Sequence, residues 1–178
     1  MFIQVFALFL LVFASSVAAE LLETKRKLIV VADPGVDDTA AILIALASEE
    51  VEVLGVVANF GVCSAACAAN NSMHLMDMLG SAAVPVFVGA NYPLGTMPQK
   101  GVIQDSMALL YHGPHGLGNF AGSPRPGTRP RGDMSGAEFI MSSVRDDPGV
   151  VSILVASPCS SLAQALSLAP QEFVSLVR

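Results

Sequence analysis

The sequence predicts an α/β fold, a mainly parallel open sheet flanked by helices. Three observations lead there. Residues 28–32 form an unbroken apolar run rich in β-branched side chains, the pattern of a strand buried on both faces. Runs of this kind alternate with Ala- and Leu-rich helical stretches, an order that implies parallel strands joined by right-handed crossovers. The first run stops at Asp33-Pro34-Gly35, a turn signal.

In chain order, residues 28–32 read as the first strand and 37–47, rich in Ala, Ile and Leu, as a helix. Residues 51–58 read as a second strand, 65–79 as a second helix and 84–88 as a third strand ending at Gly89. Residues 91–132 carry many of the Pro and Gly residues, with a short helix expected at 105–110. A connection of that length is usually functional or mobile. Residues 135–145 read as a helix, 150–156 as a strand, 160–168 as a helix, and a last helix begins near Pro170. No internal repeat is present.

The chain has 178 residues, 53% apolar and 13% charged, which excludes a disordered polymer and suits one domain with its own core. A net charge of -6 argues against a nucleic-acid partner, because an acidic surface repels phosphates. Residues 1–19 stand apart. They hold an apolar stretch shorter than the roughly 20 residues that span a bilayer. Small residues follow, with Val17 and Ala19 three and one positions before a cut ahead of Glu20. This is the layout of a signal peptide, so residues 20–178 are expected to be the domain, secreted and without membrane attachment after cleavage.

Secretion permits disulfides. Cys63, Cys67 and Cys159 are odd in number, so at least one is unpaired or pairs outside the chain. Cys63 and Cys67 lie one helical turn apart and read as small buried core residues rather than as metal ligands. Asn70-Asn71-Ser72 is a glycosylation sequon.

Ligands of open α/β sheets bind beyond the carboxyl ends of the strands. Asp33 ends the first strand there, Asp37 and Asp38 open the next helix, and Ala156 ends the late strand with Ser157 after it. His112 and His115 lie in the long connection. A turn and a helix cap account for Asp33 and one of the other two acids, but not for all three. Three carboxylates within six residues repel one another, and a divalent cation relieves them. Calcium or magnesium takes such oxygen ligands, and the helix amino terminus favours the ionised acids.

Asp33-Pro34-Gly35-Val36-Asp37-Asp38, between an apolar strand and an Ala-rich helix, resembles the amino-terminal signature D-x-D-P-G-x-D-D of the inosine-uridine nucleoside hydrolases. Leu54-Gly55-Val56-Val57 is similar to that family's second strand, and Val84-Pro85-Val86-Phe87-Val88-Gly89-Ala90 to its V-P-V-x-x-G-A. His112-Gly113-Pro114-His115-Gly116-Leu117-Gly118 fits H-G-x-x-G-L-G, and residues 156–163 sit where the family has x-G-P-L-T-N-L-A. Val31 stands at the motif's first Asp, and Gly61-Val62 where the family has Gly-Asn, with Asn59 the nearest amide that could replace the lost one.

The resemblance implies a nucleoside hydrolase-like domain, incomplete at its carboxyl side, and a small-molecule nucleoside as substrate. It implies calcium-dependent hydrolysis of the N-glycosidic bond of purine and pyrimidine ribonucleosides. By that likeness Asp33 is calcium ligand and general base, Asp38 a second ligand, and the backbone carbonyl of Ala156 a third. Asp37 grips the ribose hydroxyls, and His112 lines the substrate pocket. The alternative is a catalytically inactive homologue that at most binds calcium or a sugar. An acidic-pocket phosphotransferase would want an acid at position 35, which is Gly. Arg131-Gly132-Asp133 matches an adhesion tripeptide that arises often by chance. Self-association to a homo-oligomer is left open.

Overall fold

In a computed structural model that describes residues 25–95, 106–118 and 129–177, the elements alternate as the apolar runs imply. They are β1 (Arg26–Ala32), α1 (Val36–Ala47), β2 (Val51–Ala58), α2 (Ala65–Met78), β3 (Val86–Val88), α3 (Ser106–His112), α4 (Gly136–Asp146), β4 (Ser152–Val155), α5 (Ser160–Leu168) and α6 (Pro170–Leu176). The leader expected at residues 1–19 and much of the long connection lie outside the described residues.

The strands form one parallel sheet in the order β3-β2-β1-β4. Because β1 is central, both of its faces must be covered, and its unbroken apolar run supplies side chains to both. Ile29 and Val31 point to one face. There they join Val57 and Phe87 under Phe139, Ile140 and Val144 of α4, Ala165 of α5 and Phe173 of α6. The Phe87 and Phe139 rings stack with centroids 4.0 Å apart. Val30 and Ala32 point to the other face, against Ile42 of α1 and Ala68, Ala69 and Met73 of α2. The result is a three-layer arrangement with the sheet in the middle.

Boundaries shift where backbone chemistry intervenes. The apolar run predicts a third strand over 84–88; the strand begins at Val86. Pro85 has no N–H to give the ladder, and the Val84 N–H turns back to the Ser81 carbonyl. The fourth strand shortens to Ser152–Val155, because the Val150 N–H closes a turn onto Asp147. The short helix runs later than expected, through His112. α4 starts where Ser135 and Glu138 cap each other's backbone N–H groups, a capping box written in the spacing Ser-x-x-Glu.

Cys63 is buried, as expected of a core residue, but the reading of both cysteines as plain core residues is corrected. Cys63 and Cys67 form a disulfide, with Cα atoms 5.9 Å apart, inside the span a bridge requires. Cys63 precedes the capping Ser64, so it lies outside the helix, where the chain bends to let the sulfurs meet. Cys159 is free and exposed.

Ile140 is fully buried beneath the sheet. Replacing it by alanine is expected to cost about 2–5 kcal/mol. Urea unfolding should show a lower midpoint with an unchanged slope.

Candidate active site

The chain leaves β1 for β2 on one side, while β4 pairs with the other side of β1. This is a topological switch point, where connections diverge and open a crevice at the carboxyl ends of the strands. The β1–α1 turn, the β2–α2 turn and the β4–α5 turn all reach it.

Asp33 follows β1 directly and is only 7% exposed, as is Asp38 on the first turn of α1. The Asp33 N–H donates to Asp38 Oδ2 at 2.9 Å, and the Val62 N–H donates to Asp33 Oδ2 at 2.6 Å. Each carboxylate is thus held by a backbone donor rather than by a cationic side chain. Burial pushes the Asp33 carboxyl up to about 7. The bond from Val62 works against that rise, and the adjoining Asp38 adds to it. Asp38 is raised too, chiefly by burial, with the Asp33 N–H opposing. Two acids packed side by side away from water favour the neutral form unless positive charge arrives.

Glycine makes this packing feasible. A Cβ on Gly61 would overlap the Asp33 carboxylate. A Cβ on Gly35 would come within 2.6 Å of His112 Nδ1.

Asp37 behaves differently from its neighbour. Its side chain is 79% exposed and stands 3.8 Å from His112 Nδ1. That ring nitrogen accepts the Val36 N–H at 3.3 Å, which joins the end of α3 to the start of α1. Asn71 of α2 reinforces the junction: its Nδ2 donates to the Pro34 carbonyl at 3.2 Å and to the His115 carbonyl at 2.8 Å. His115 itself is exposed and offers this site only its backbone.

On the β4 side, the Ala156 N–H donates to the Val31 carbonyl at 2.9 Å. The ladder thereby extends by one residue and sets Ala156 beside the carboxyl end of β1, the end from which Asp33 follows. Asn59, fully buried at the end of β2, binds three connections together. Its backbone N–H donates to the Ala32 carbonyl at 2.8 Å. Its Oδ1 accepts from the Ala90 N–H at 2.9 Å and from the Ser161 hydroxyl. Its Nδ2 donates to Ser157 Oγ at 3.1 Å and to the Pro158 carbonyl at 2.5 Å.

The sequence-predicted residues therefore divide. Asp33 and Asp38 come together; Asp37 and His112 come together beside them; Ala156 lies at the same rim. The expectation of one cage built from three carboxylates is corrected. Among the described residues no group of three or more His, Cys, Asp or Glu side chains stands in ligating range. On a helix, successive residues point about 100° apart, so Asp37 and Asp38 cannot both turn inward. Asn59 is also corrected as a substitute sugar-binding amide, since both ends of its side chain are spent inside the protein. The position expected to lose a side-chain amide, Val62, contributes its backbone N–H instead. Arg131 and Asp133 of the adhesion-like tripeptide pair with each other at 2.7 Å. Sequence reasoning missed the part played by Asn59; a lone polar residue closing an apolar strand was its signal.

Residues 28–178 match the family model described as inosine-uridine preferring nucleoside hydrolase. A probable uridine nucleosidase 2 of Oryza sativa subsp. japonica is 36% identical over 80% of this chain and 40% of its own length. Uridine nucleosidase 1 of Arabidopsis thaliana is 37% identical over 83% of this chain and 41% of its own length. A solved plant nucleoside hydrolase superposes with a TM-score of 0.77 at 29% identity, covering 86% of this chain and 46% of that one. The chain thus spans less than half the length of these relatives. Among the described residues no helix is long and apolar enough to cross a membrane.

The raised Asp33 carries a pH signature. Between the ordinary carboxyl value of 3.8 and about 7, the unfolded chain has lost a proton that the folded chain keeps. Stability from this group is therefore complete below that window and declines as pH rises through it. In a chelating buffer, the melting temperature should fall between pH 5 and pH 8. Asp33→Asn, which keeps an acceptor for Val62, should flatten the decline when followed by circular dichroism.

Proposed function

The chain belongs to the inosine-uridine preferring nucleoside hydrolase family, and on that premise we propose that this site hydrolyses the N-glycosidic bond of purine and pyrimidine ribonucleosides to ribose and free base, with calcium as its cofactor. One observation carries the reading: a buried pair of carboxylates, Asp33 and Asp38, at the switch point, with a third acid, Asp37, turned outward beside His112.

The residues fit such an ion. Two adjoining acids are buried with no cationic side chain bonded to either, and both are pushed toward the neutral form. That is the electrostatic deficit a divalent cation corrects. Asp33, Asp38 and the Ala156 carbonyl would hold it, an all-oxygen donor set suited to calcium. Once bound, the ion supplies positive charge that lowers the pKa of water at the site.

The remaining work falls to the chain. Asp33, steadied by the Val62 N–H, takes the proton from the attacking water as general base. Asp37 is exposed, and a carboxylate only accepts, so its oxygens can take hydrogen bonds from the ribose hydroxyls. His112, 3.8 Å from Asp37, would line the nucleoside's place on that side. As the C1′–N bond breaks, its electron pair leaves with the base, which takes up a proton from solvent; positive charge builds on the sugar, the nearby acids stabilise it, and the water oxygen bonds to C1′.

A second reading, that the chain binds calcium or a sugar without turnover, is favoured by Val31 and Val62, which stand where the family motif has Asp and Asn. The two readings part in one assay. Hydrolysis predicts ribose release from uridine and inosine, abolished by a chelator and restored by calcium. Calcium binding by calorimetry with no ribose release selects the binder.

Asp33→Asn should lower kcat by about 10²- to 10⁴-fold, the range removed with a general base. Asp37→Ala should weaken binding and raise KM. We further propose export with cleavage after Ala19, so the mass of the exported chain should begin at Glu20; an uncut chain retained in the membrane fraction would contradict this.

A further inference from the structure

The Cys63–Cys67 disulfide lies in the β2–α2 connection, next to the residue that holds Asp33. Val62, donor to the Asp33 carboxylate, sits between Gly61, which passes against that carboxylate, and the bridged Cys63. The Gly61 N–H donates to the Cys63 carbonyl at 3.0 Å, folding the three residues into one tight loop. At its upstream end the loop continues from β2, where Asn59 is anchored. At its downstream end the bridge ties it to the first turn of α2, whose Ser64 caps the Cys67 N–H at 3.2 Å. One turn further along the same helix, Asn71 holds the Pro34 and His115 carbonyls. α2 is thus a fixed post carrying the acidic turn, the histidine connection and, through the bridge, the loop that grips Asp33.

We infer that the Cys63–Cys67 disulfide is a positioning element of the site, which keeps the Val62 N–H on the Asp33 carboxylate. Four residues of separation close too small a loop to restrain the unfolded chain strongly. The bridge therefore acts on local geometry more than on global stability. Cys63 is buried at 3% exposure, whereas Cys67 is partly open, so a small dithiol reaches the bridge through Cys67. Its thiolate attacks Cys67 Sγ and the S–S bond breaks, leaving Cys63 to take up a proton as a thiol. The second thiol of the reagent then closes on the first. The reagent is released as its own disulfide, and Cys67 is protonated to a thiol. The consequence for catalysis rests on the hydrolase reading; the hold on Val62 does not.

The test compares the full oxidised chain, the same chain reduced with dithiothreitol, and Cys63→Ala with Cys67→Ala. Alkylation in denaturant should label one thiol before reduction and three after it. Opening the bridge, by either route, should speed amide exchange at Val62 at least tenfold, while Val56 and Val57 in β2 keep their rates. In the ribose assay, reduction should lower kcat with KM little changed. Three labelled thiols before reduction would overturn the inference. So would an unchanged Val62 rate with the bridge open, or an equal acceleration at Val56 and Val57. An oxidised chain that protects Val62 but releases no ribose sinks the hydrolase reading and leaves the hold on Val62 established.

Discussion

Two carboxylates buried against each other, held by backbone N–H groups and by their own side-chain contact, set the terms for everything around the strand ends. Asp33 and Asp38 lose solvation on folding, and each gains one backbone bond in return. Such an arrangement survives only where the surrounding backbone is closely fixed, because a displaced donor leaves a buried acid short of a hydrogen bond. The glycine at 61, the capped first turn of α2 and the histidine lodged over Gly35 all follow from that demand. A cation entering the pair would turn a mutual repulsion into a shared attraction, so the same feature that costs stability without metal would favour its uptake.

The sheet supplies the rigid frame. With β1 central and both of its neighbours parallel, three strand ends point their connections toward one place. Packing on both faces keeps those ends from moving independently. Asn59 then extends the frame past the last ladder bond, fastening the connections after β2, β3 and β4 to one another. The acidic turn and the histidine connection are fastened by Asn71 from the opposite side. Two buried or half-buried asparagines thus do for the loops what the strand ladder does for the sheet.

How much of this could be read along the chain depended on whether the signal was local. The strands at 28–32 and 51–58 are legible because a doubly covered strand is apolar where it is buried: at every position of 28–32, and at 56–58 of the second. The apolar run reads β3 as too long: Pro85, which has no N–H to donate, already marks the break in the sequence, whereas the return of Val84 onto Ser81 shows only in the structure. The acids were legible as a group, since no bland explanation covers three in six residues. Their division into an inward pair and an outward single depended on the phase of α1, which carries Asp38 under the rim and Asp37 away from it. The cysteine pair differs from its sequence pattern for the same kind of reason: a spacing of four reads as one helix face, whereas Cys63 lies before the helix begins.

The sequence by itself determined the alternation of strands and helices, the buried sheet and the place of the acidic turn. Those features depend on periodicity and on turn chemistry between near neighbours in the chain. Only the tertiary structure decided which acids share a hollow, which asparagine is spent on the scaffold, and which backbone N–H steadies Asp33. These pairings join residues from 5 to 102 positions apart. Their geometry is set by how helices and strand ends pack in three dimensions, and no local pattern records it.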